Sequence, residues 1–357
     1  MFSYKKGKVV SITNDDKHIS WIEVGIDGDL YPAVNYNDLT GKVKIGNTVV
    51  LNTTAVELSL GTGGYHFVMY NCDIEKIDLE GLGHIMKLRY TPYQIKCLVA
   101  EEESSPYRSV YDNFESLDGH KFVVCTLHSM IGPISSMIKW LNKDISINYI
   151  MTDGGSLPIY FSKTVKELKE KNIINKTITI GHAFGGDLEC TNIYTGLIAA
   201  KEILKGDVTI ISMGPGIVGT GTKYGFSGIE QGQIIDAINS LGGKPITVPR
   251  ISFKDSRERH RGISHHTITV LSEIAKTSSD VVIPYLDCNK FELINNQIKK
   301  YKLDILHNII IENGKEIIEA MKYFDLNITT MGRTIDEDLD YFITLGAVGK
   351  HINKLLT

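Results

Sequence analysis

Arg257, Arg259 and Arg261 stand within ten residues of His260, His265 and His266. A guanidinium grips a phosphate or carboxylate through two parallel N–H···O bonds, so this run suits an anionic ligand. Ser264 fits the N-cap position, and His265 and His266 would then open a helix. A histidine at a helix start tends to stay neutral, which suits metal ligation or general-base work. Adjacent histidines seldom both reach one ligand, so one of the pair is expected to act. The plain alternative is a solvated basic loop paired internally with Asp255 and Glu258.

A second run bends the chain without an ordinary turn. Between Gly214 and Gly228, glycine recurs at 216, 219, 221 and 225, with Pro215 among them. Such loops bring backbone N–H groups close to an anion, and the next helix N-terminus adds its dipole. Gly214, Gly216, Gly219, Thr220, Gly221 and Thr222 are the candidate contacts, with Ser227 and Lys223 as further donors. The loop has no Gly-Lys-Ser/Thr ending, so it is not a Walker A sequence. Gly214–Gly219 satisfies GxGxxG, but no helix follows promptly, which weakens the dinucleotide reading. The alternative is a tight strand-to-helix connection with no ligand.

A third group is His182, Asp187 and Glu189. Histidine and carboxylates after a strand suit proton transfer, or a divalent metal held by Asp153, His182 and Asp187. Asp187 can equally cap the helix expected over Thr191–Leu204. His128 follows another strand and precedes Ser129, but sequence neighbours rarely have nucleophile–base geometry, and no GxSxG elbow occurs. The catalytic candidates are therefore His182, His265, Asp187 and His128. Cys125 and Cys190 read as small core residues.

These segments need strands to position them. From Lys121 onward, β-branched runs at Phe122–Leu127, Ile147–Thr152, Thr177–Ile180, Val208–Met213, Ile246–Ile251, Val281–Leu286, Ile305–Ile311 and Leu326–Thr329 alternate with helical patterns. Leu157–Lys171 has the clearest helical period. The units average roughly 30 residues, the size of a βαβ element. The expected body, residues 83–357, is a mostly parallel α/β domain, doubly wound or alternatively an eight-fold β/α barrel. Unequal units and an extra strand at Gln94–Ala100 favour the open sheet. In both architectures ligands bind at the carboxyl ends of the strands, where all the segments above fall. Residues 1–82 read differently: short strands at Lys8–Thr13, Ser20–Gly25, Leu30–Val34, Asn47–Leu51 and His66–Tyr70, punctuated by turns such as Gly61–Gly64, predict a small β-barrel.

Bulk composition excludes several classes. The 357 residues carry 38 Lys+Arg against 42 Asp+Glu, which argues against a general nucleic-acid binder. The barrel aromatics Tyr4, Trp21, Tyr31, Tyr36, Tyr65, Phe67 and Tyr70 could stack bases, but its many aspartates oppose that role. Neither a secretory signal nor a membrane span is legible. The scattered cysteines form no CxxC pair, and a reducing cytoplasm is the expected compartment.

The blocks HIMKLRYTP (84–92), LHSM (127–130), MTDGGSLP (151–158), GHAFGGDLE (181–189), MGPGIVGTGTKYGFSGIEQG (213–232), RERHRGISHH (257–266) and TTMGRTIDED (329–338) carry a resemblance. The chain resembles the bacterial proteins grouped as domain of unknown function 3866, over nearly its whole length. The resemblance implies a bacterial, cytoplasmic protein, made by Gram-positive organisms, and supplies no catalytic residue. Cys190 stands where the family commonly has a small residue, which disfavours it as a nucleophile. The residues predict an enzyme, a hydrolase or group transferase, on a phosphorylated or carboxylated small molecule. A non-catalytic nucleotide or metabolite sensor is the alternative. A symmetric homodimer is the default expectation for assembly.

Overall fold

The computed structural model describes residues 1–60 and 63–357. Gly61 and Thr62 of the expected turn lie outside the described residues. The chain divides into two compact units, Met1–Leu82 with Leu88–Lys96, and Gly83–Lys87 with Cys97–Thr357.

In the first unit, β1 (Tyr4–Asp15), β2 (Ile19–Ile26), β3 (Asp29–Tyr36), β4 (Thr48–Asn52) and β5 (His66–Asn71) close into a barrel of order β1-β2-β3-β5-β4. Neighbours run antiparallel except β3 and β5, which are parallel. Val9, Ile22, Val24, Ala33, Val49, Leu51 and Val68 form its core, so the interior is occupied by side chains. Among the aromatics, Trp21 packs edge-on to Tyr65 at 4.7 Å and Tyr36 stacks on Phe67 at 6.1 Å, while Tyr4 and Tyr70 are exposed.

The second unit is built on an eight-stranded, wholly parallel sheet. Its strands are β6 (Lys121–Val124), β7 (Ile147–Thr152), β8 (Lys176–Thr179), β9 (Leu188–Glu189), β10 (Val208–Met213), β11 (Lys244–Thr247), β12 (Asp280–Pro284) and β13 (Asn308–Glu312). They lie in the order β9-β8-β7-β10-β6-β11-β12-β13. The sheet is open, with β9 and β13 as edges, so the eight-fold barrel is not formed. Every residue of β7 and β10 is buried, as expected for strands covered on both faces.

The helices divide between those faces. α1 (Ile131–Leu141) packs with α2 (Lys163–Glu170), α7 (Ile317–Tyr323) and α8 (Leu339–Leu356). α4 (Glu230–Ser240) packs instead with α3 (Ile193–Ile198) and the π-helical turn Val270–Ile274, which continues α5 (His265–Thr269). The remaining long helix, α6 (Cys288–Lys300), links β12 to β13.

Two sequence expectations are corrected. Leu326–Thr329 is not a strand, and the eighth strand is Leu188–Glu189. Leu326 and Ile328 are buried, and the Ile328 Cδ1 sits so close to Gly132 of α1 that a Cβ there would lie 2.0 Å from it. Side-chain docking alone produces that apolar pattern, without ladder pairing. Of Gln94–Ala100 only Ile95–Cys97 is a strand, and it stands outside the large sheet.

A buried ion pair secures the β8–β9 edge. Lys87, 1% exposed, donates to Glu189 Oε2 (2.6 Å), Ala183 O (2.5 Å) and Thr179 O (3.2 Å). Glu189 also accepts from Thr179 Oγ1 (2.7 Å) and the Gly185 N–H (2.6 Å). Burial raises the Glu189 carboxyl, and the Lys87 ammonium opposes that shift. Removing one partner leaves the other charge buried, at a cost of about 3–5 kcal/mol, whereas apolar replacement of both is close to neutral. Lys87→Met should therefore lower the urea midpoint sharply, and Lys87→Met combined with Glu189→Leu should recover most of it. A double variant as unstable as the single one would refute this reading.

Candidate functional site

The strand order creates the site. β10 inserts between β7 and β6, so the connection leaving β6 crosses to one side of the sheet and that leaving β10 to the other. α1 and α4, which begin these connections, pack in different helical layers. Divergence of two adjacent connections opens a crevice at their carboxyl ends, the usual ligand position in an open α/β sheet.

The connection after β10 folds as a flap over this crevice. Gly219 bridges Phe226 in antiparallel fashion, the Thr220 N–H donates to Gly225 O (2.8 Å), and the Ser227 N–H donates to Val218 O (3.0 Å). Thr220 and Thr222 share a hydroxyl hydrogen bond of 2.8 Å, and Thr220 Oγ1 also donates to Gly225 O (3.1 Å). These hydroxyls brace the flap. Gly214 is needed for close packing: a Cβ there would lie 2.3 Å from Ser156 O, and Ser156 N–H donates to Pro215 O (2.9 Å). Gly216 has φ of +107°, a conformation that disfavours side chains.

Opposite the flap runs the segment from Arg250 to Thr267, tied by a short ladder of Ile251–Ser252 with Gly262–Ile263. Between them lies a cavity of about 210 Å³. Thr126 and Leu127 line its floor side, Ile217, Val218, Gly219, Gly221, Phe226 and Gly228 the flap side, and Arg250, Arg257, Arg259, His260, His266 and Thr267 the opposing wall, with Met331.

Arg250 is the buried cation of that wall, with a side chain 6% exposed. Its Nη2 donates to Asp255 Oδ2 (3.1 Å), while Nε and Nη1 are buried and find no partner among the described residues. Arg257 grips the same carboxylate through Nε (2.9 Å) and Nη2 (2.9 Å). These cations hold Asp255 well below the usual carboxylate range. Arg259 makes no ion pair among the described residues, and a Cβ on Gly221 would lie 3.6 Å from its Nη2. Arg261 departs from the group: it lines separate surface hollows with Asn289 and Leu293.

The histidines converge. Ser264 caps α5, as the spacing predicts, accepting from the His266 N–H. The turn Glu258–His260 then returns His260 to the helix start, and the ring centroids lie 4.7 Å (His260–His265), 5.2 Å (His260–His266) and 4.1 Å (His265–His266) apart. Both rings of the adjacent pair thus lie against His260. His266 also stacks on Phe226 at 4.0 Å and 9°. Burial first, then the surrounding arginines, depress all of these imidazoles, His260 to about 3; for His266 burial and the His265 ring act before the arginines, and it falls to about 4.

The other candidates lie elsewhere. Asp153, His182 and Asp187 are not gathered into a metal-holding group. Asp153 Oδ2 accepts from the His182 N–H (2.9 Å). Asp187 instead accepts from Lys169 Nζ (2.8 Å), the Thr177 N–H (2.8 Å) and Thr177 Oγ1 (2.9 Å). Nor does it cap α3, whose cap is Asn192 in a reciprocal arrangement with Thr195. His128 has both ring nitrogens engaged, Nδ1 with Met213 O (3.1 Å) and Nε2 with Ser162 Oγ (2.6 Å). Arg333 pairs with the fully buried Asp338 (2.9 Å). Burial pushes the Cys125 and Cys190 thiols up, as core positions should.

Two groups escaped the sequence reading. Arg250 was detectable as the lone charge in the apolar stretch Ile246–Ile251. Glu230, at the start of α4, had no local signal. Burial raises its carboxyl to about 7, against the lowering bond from Thr152 Oγ1 (2.6 Å) and with added repulsion from Asp153.

Fold and site together define an open, doubly wound α/β protein with a cationic, histidine-lined pocket at its topological switch point, preceded by a five-stranded barrel. The chain belongs to the family described as Protein of unknown function (DUF3866), whose model matches residues 32–349. No curated protein matches the sequence. Among the described residues no helix is long and apolar enough to cross a membrane.

The His128 environment fixes a pH dependence. Burial drops its imidazole from 6.5 to about 4, so between those values the unfolded chain binds more protons than the native one. Stability is then full above pH 6.5 and falls as pH drops toward 4, by about 1.4 kcal/mol per pH unit for this one group. Thermal melts should show a falling Tm on acidification, with a shallower slope in His128→Gln. An unchanged slope in that variant would contradict the assignment.

Proposed function

We propose that the protein binds a small molecule through a phosphate or carboxylate group in the cavity between the flap and the Arg250–Thr267 wall, and acts on it as a hydrolase or group transferase. Arg250 carries this reading. Burying a guanidinium whose Nε and Nη1 lack partners is costly, and because these nitrogens lie on opposite edges of the group, an anionic oxygen from the cavity is a partner for one of them at a time. Asp255 orients Arg250 and Arg257 together and neutralises one of them, and Arg259 adds an unpaired charge nearby. The pocket therefore stays net positive. Unprotonated imidazoles at its wall supply lone pairs beside the bound group, the requirement for activating water or another nucleophile.

The test has a binding arm and a turnover arm. Methylphosphonate should raise the Tm of the wild type, and Arg250→Met should weaken its affinity at least tenfold, about 1.4 kcal/mol. A panel of phosphate monoesters, phosphodiesters and carboxylic esters should yield turnover with the wild type that Arg250→Met and Arg259→Ala reduce. Absence of any anion-dependent Tm shift would overturn the whole reading. Binding without consumption would remove its catalytic half and leave a metabolite sensor.

A further inference from the structure

His260, His265 and His266 each offer one ring nitrogen, and these nitrogens all lie within 4.8 Å of one another. Among the described residues no other set of histidine, cysteine and carboxylate groups meets that condition. The nitrogens are prepared for ligation rather than for hydrogen bonding. His265 Nε2 is buried and has no partner. His260 Nδ1 is engaged by Ser264 Oγ at 2.8 Å, and when Nδ1 carries the proton its Nε2 presents a lone pair. The His266 ring is fixed by its stack on Phe226. Three of the four positions of a tetrahedral ion would be filled, and His260 and His266 line the cavity, so the fourth opens toward it.

We infer that His260, His265 and His266 bind one divalent transition-metal ion of the zinc type, whose open coordination position faces the anion pocket. Imidazole nitrogen donors select zinc, cobalt, nickel or copper over magnesium and calcium, which require oxygen. An ion at about 2.0–2.1 Å from each nitrogen draws the three to about 3.4 Å apart, a change that small side-chain rotations accomplish.

Arg250, Arg257 and Arg259 oppose a bare cation at this point. An anion on those guanidiniums removes that opposition and can take the fourth metal position. Metal and anion should therefore bind cooperatively, each raising the affinity of the other by the same factor. The metal site stands on the histidines alone; the coupling rests on the anion reading proposed above.

Calorimetric titration of the full chain with Zn²⁺, and absorbance titration with Co²⁺, test both. The wild type should bind one ion per chain, and Co²⁺ should show the intense visible absorption of four-coordination. His265→Ala and His266→Gln should weaken Zn²⁺ at least a hundredfold while keeping the metal-free Tm within a few degrees. His260→Ala extends the series if it folds. Methylphosphonate should tighten Zn²⁺ binding several-fold in the wild type and not in Arg250→Met. No binding, or equal binding by His265→Ala and the wild type, overturns the metal site. Histidine-dependent binding that methylphosphonate leaves unchanged upholds the metal site and refutes the coupling, while the Tm shift with methylphosphonate alone decides the anion reading.

Discussion

The insertion of Val208–Met213 between Ile147–Thr152 and Lys121–Val124 is the constraint from which the site follows. Parallel pairing on both sides buries every residue of the inserted strand and leaves its carboxyl end beside that of its neighbour. The two outgoing connections must diverge, because right-handed crossovers carry one to each face of the sheet. The space they vacate is the pocket. The same crowding sets the glycines nearby: a Cβ on Gly155 would lie 2.4 Å from Gly214 O, so the connections after β7 and β10 run backbone against backbone. Part of the glycine in the loop is thus steric, while Gly219, Gly221 and Gly228 line the cavity.

Electrostatics within the pocket run opposite to the whole chain, which carries a formal charge of −4. Asp255 is the organising carboxylate. It binds two guanidiniums, aligns them, and leaves Nε and Nη1 of Arg250 unsatisfied. That positive field combines with burial to keep His260 and His266 unprotonated. One arrangement thereby places guanidinium cations and imidazole lone pairs side by side. The Lys87–Glu189 pair shows the contrasting solution, in which each buried charge is fully partnered and no chemistry is left over.

Strand positions were legible wherever β-branched runs are buried on both faces, as at Ile147–Thr152 and Val208–Met213. They misled at Leu326–Thr329, where burial arises from docking on α1. The run Arg257–His266 announced itself by composition, and Ser264 by its capping chemistry. Asp187 did not reveal its partners, because Thr177 reaches it through the β8–β9 pairing and Lys169 from helix α2. Arg250 lay concealed in an apolar stretch, and only Asp255 and the cavity explain a charge there.

Hydrophobic periodicity therefore settled the kind of most elements of the large sheet and which edge carries their carboxyl ends, since both properties depend on residues close in sequence and on the direction of parallel strands. Which charges share the pocket depended on folding. Arg257 and Arg259 turn toward the flap while Arg261, two residues on, turns to another surface, and His260 is brought back against His265 by a single tight turn. Such groupings arise from strand order and from close approach between distant loops, and neither is encoded in the local period of the chain.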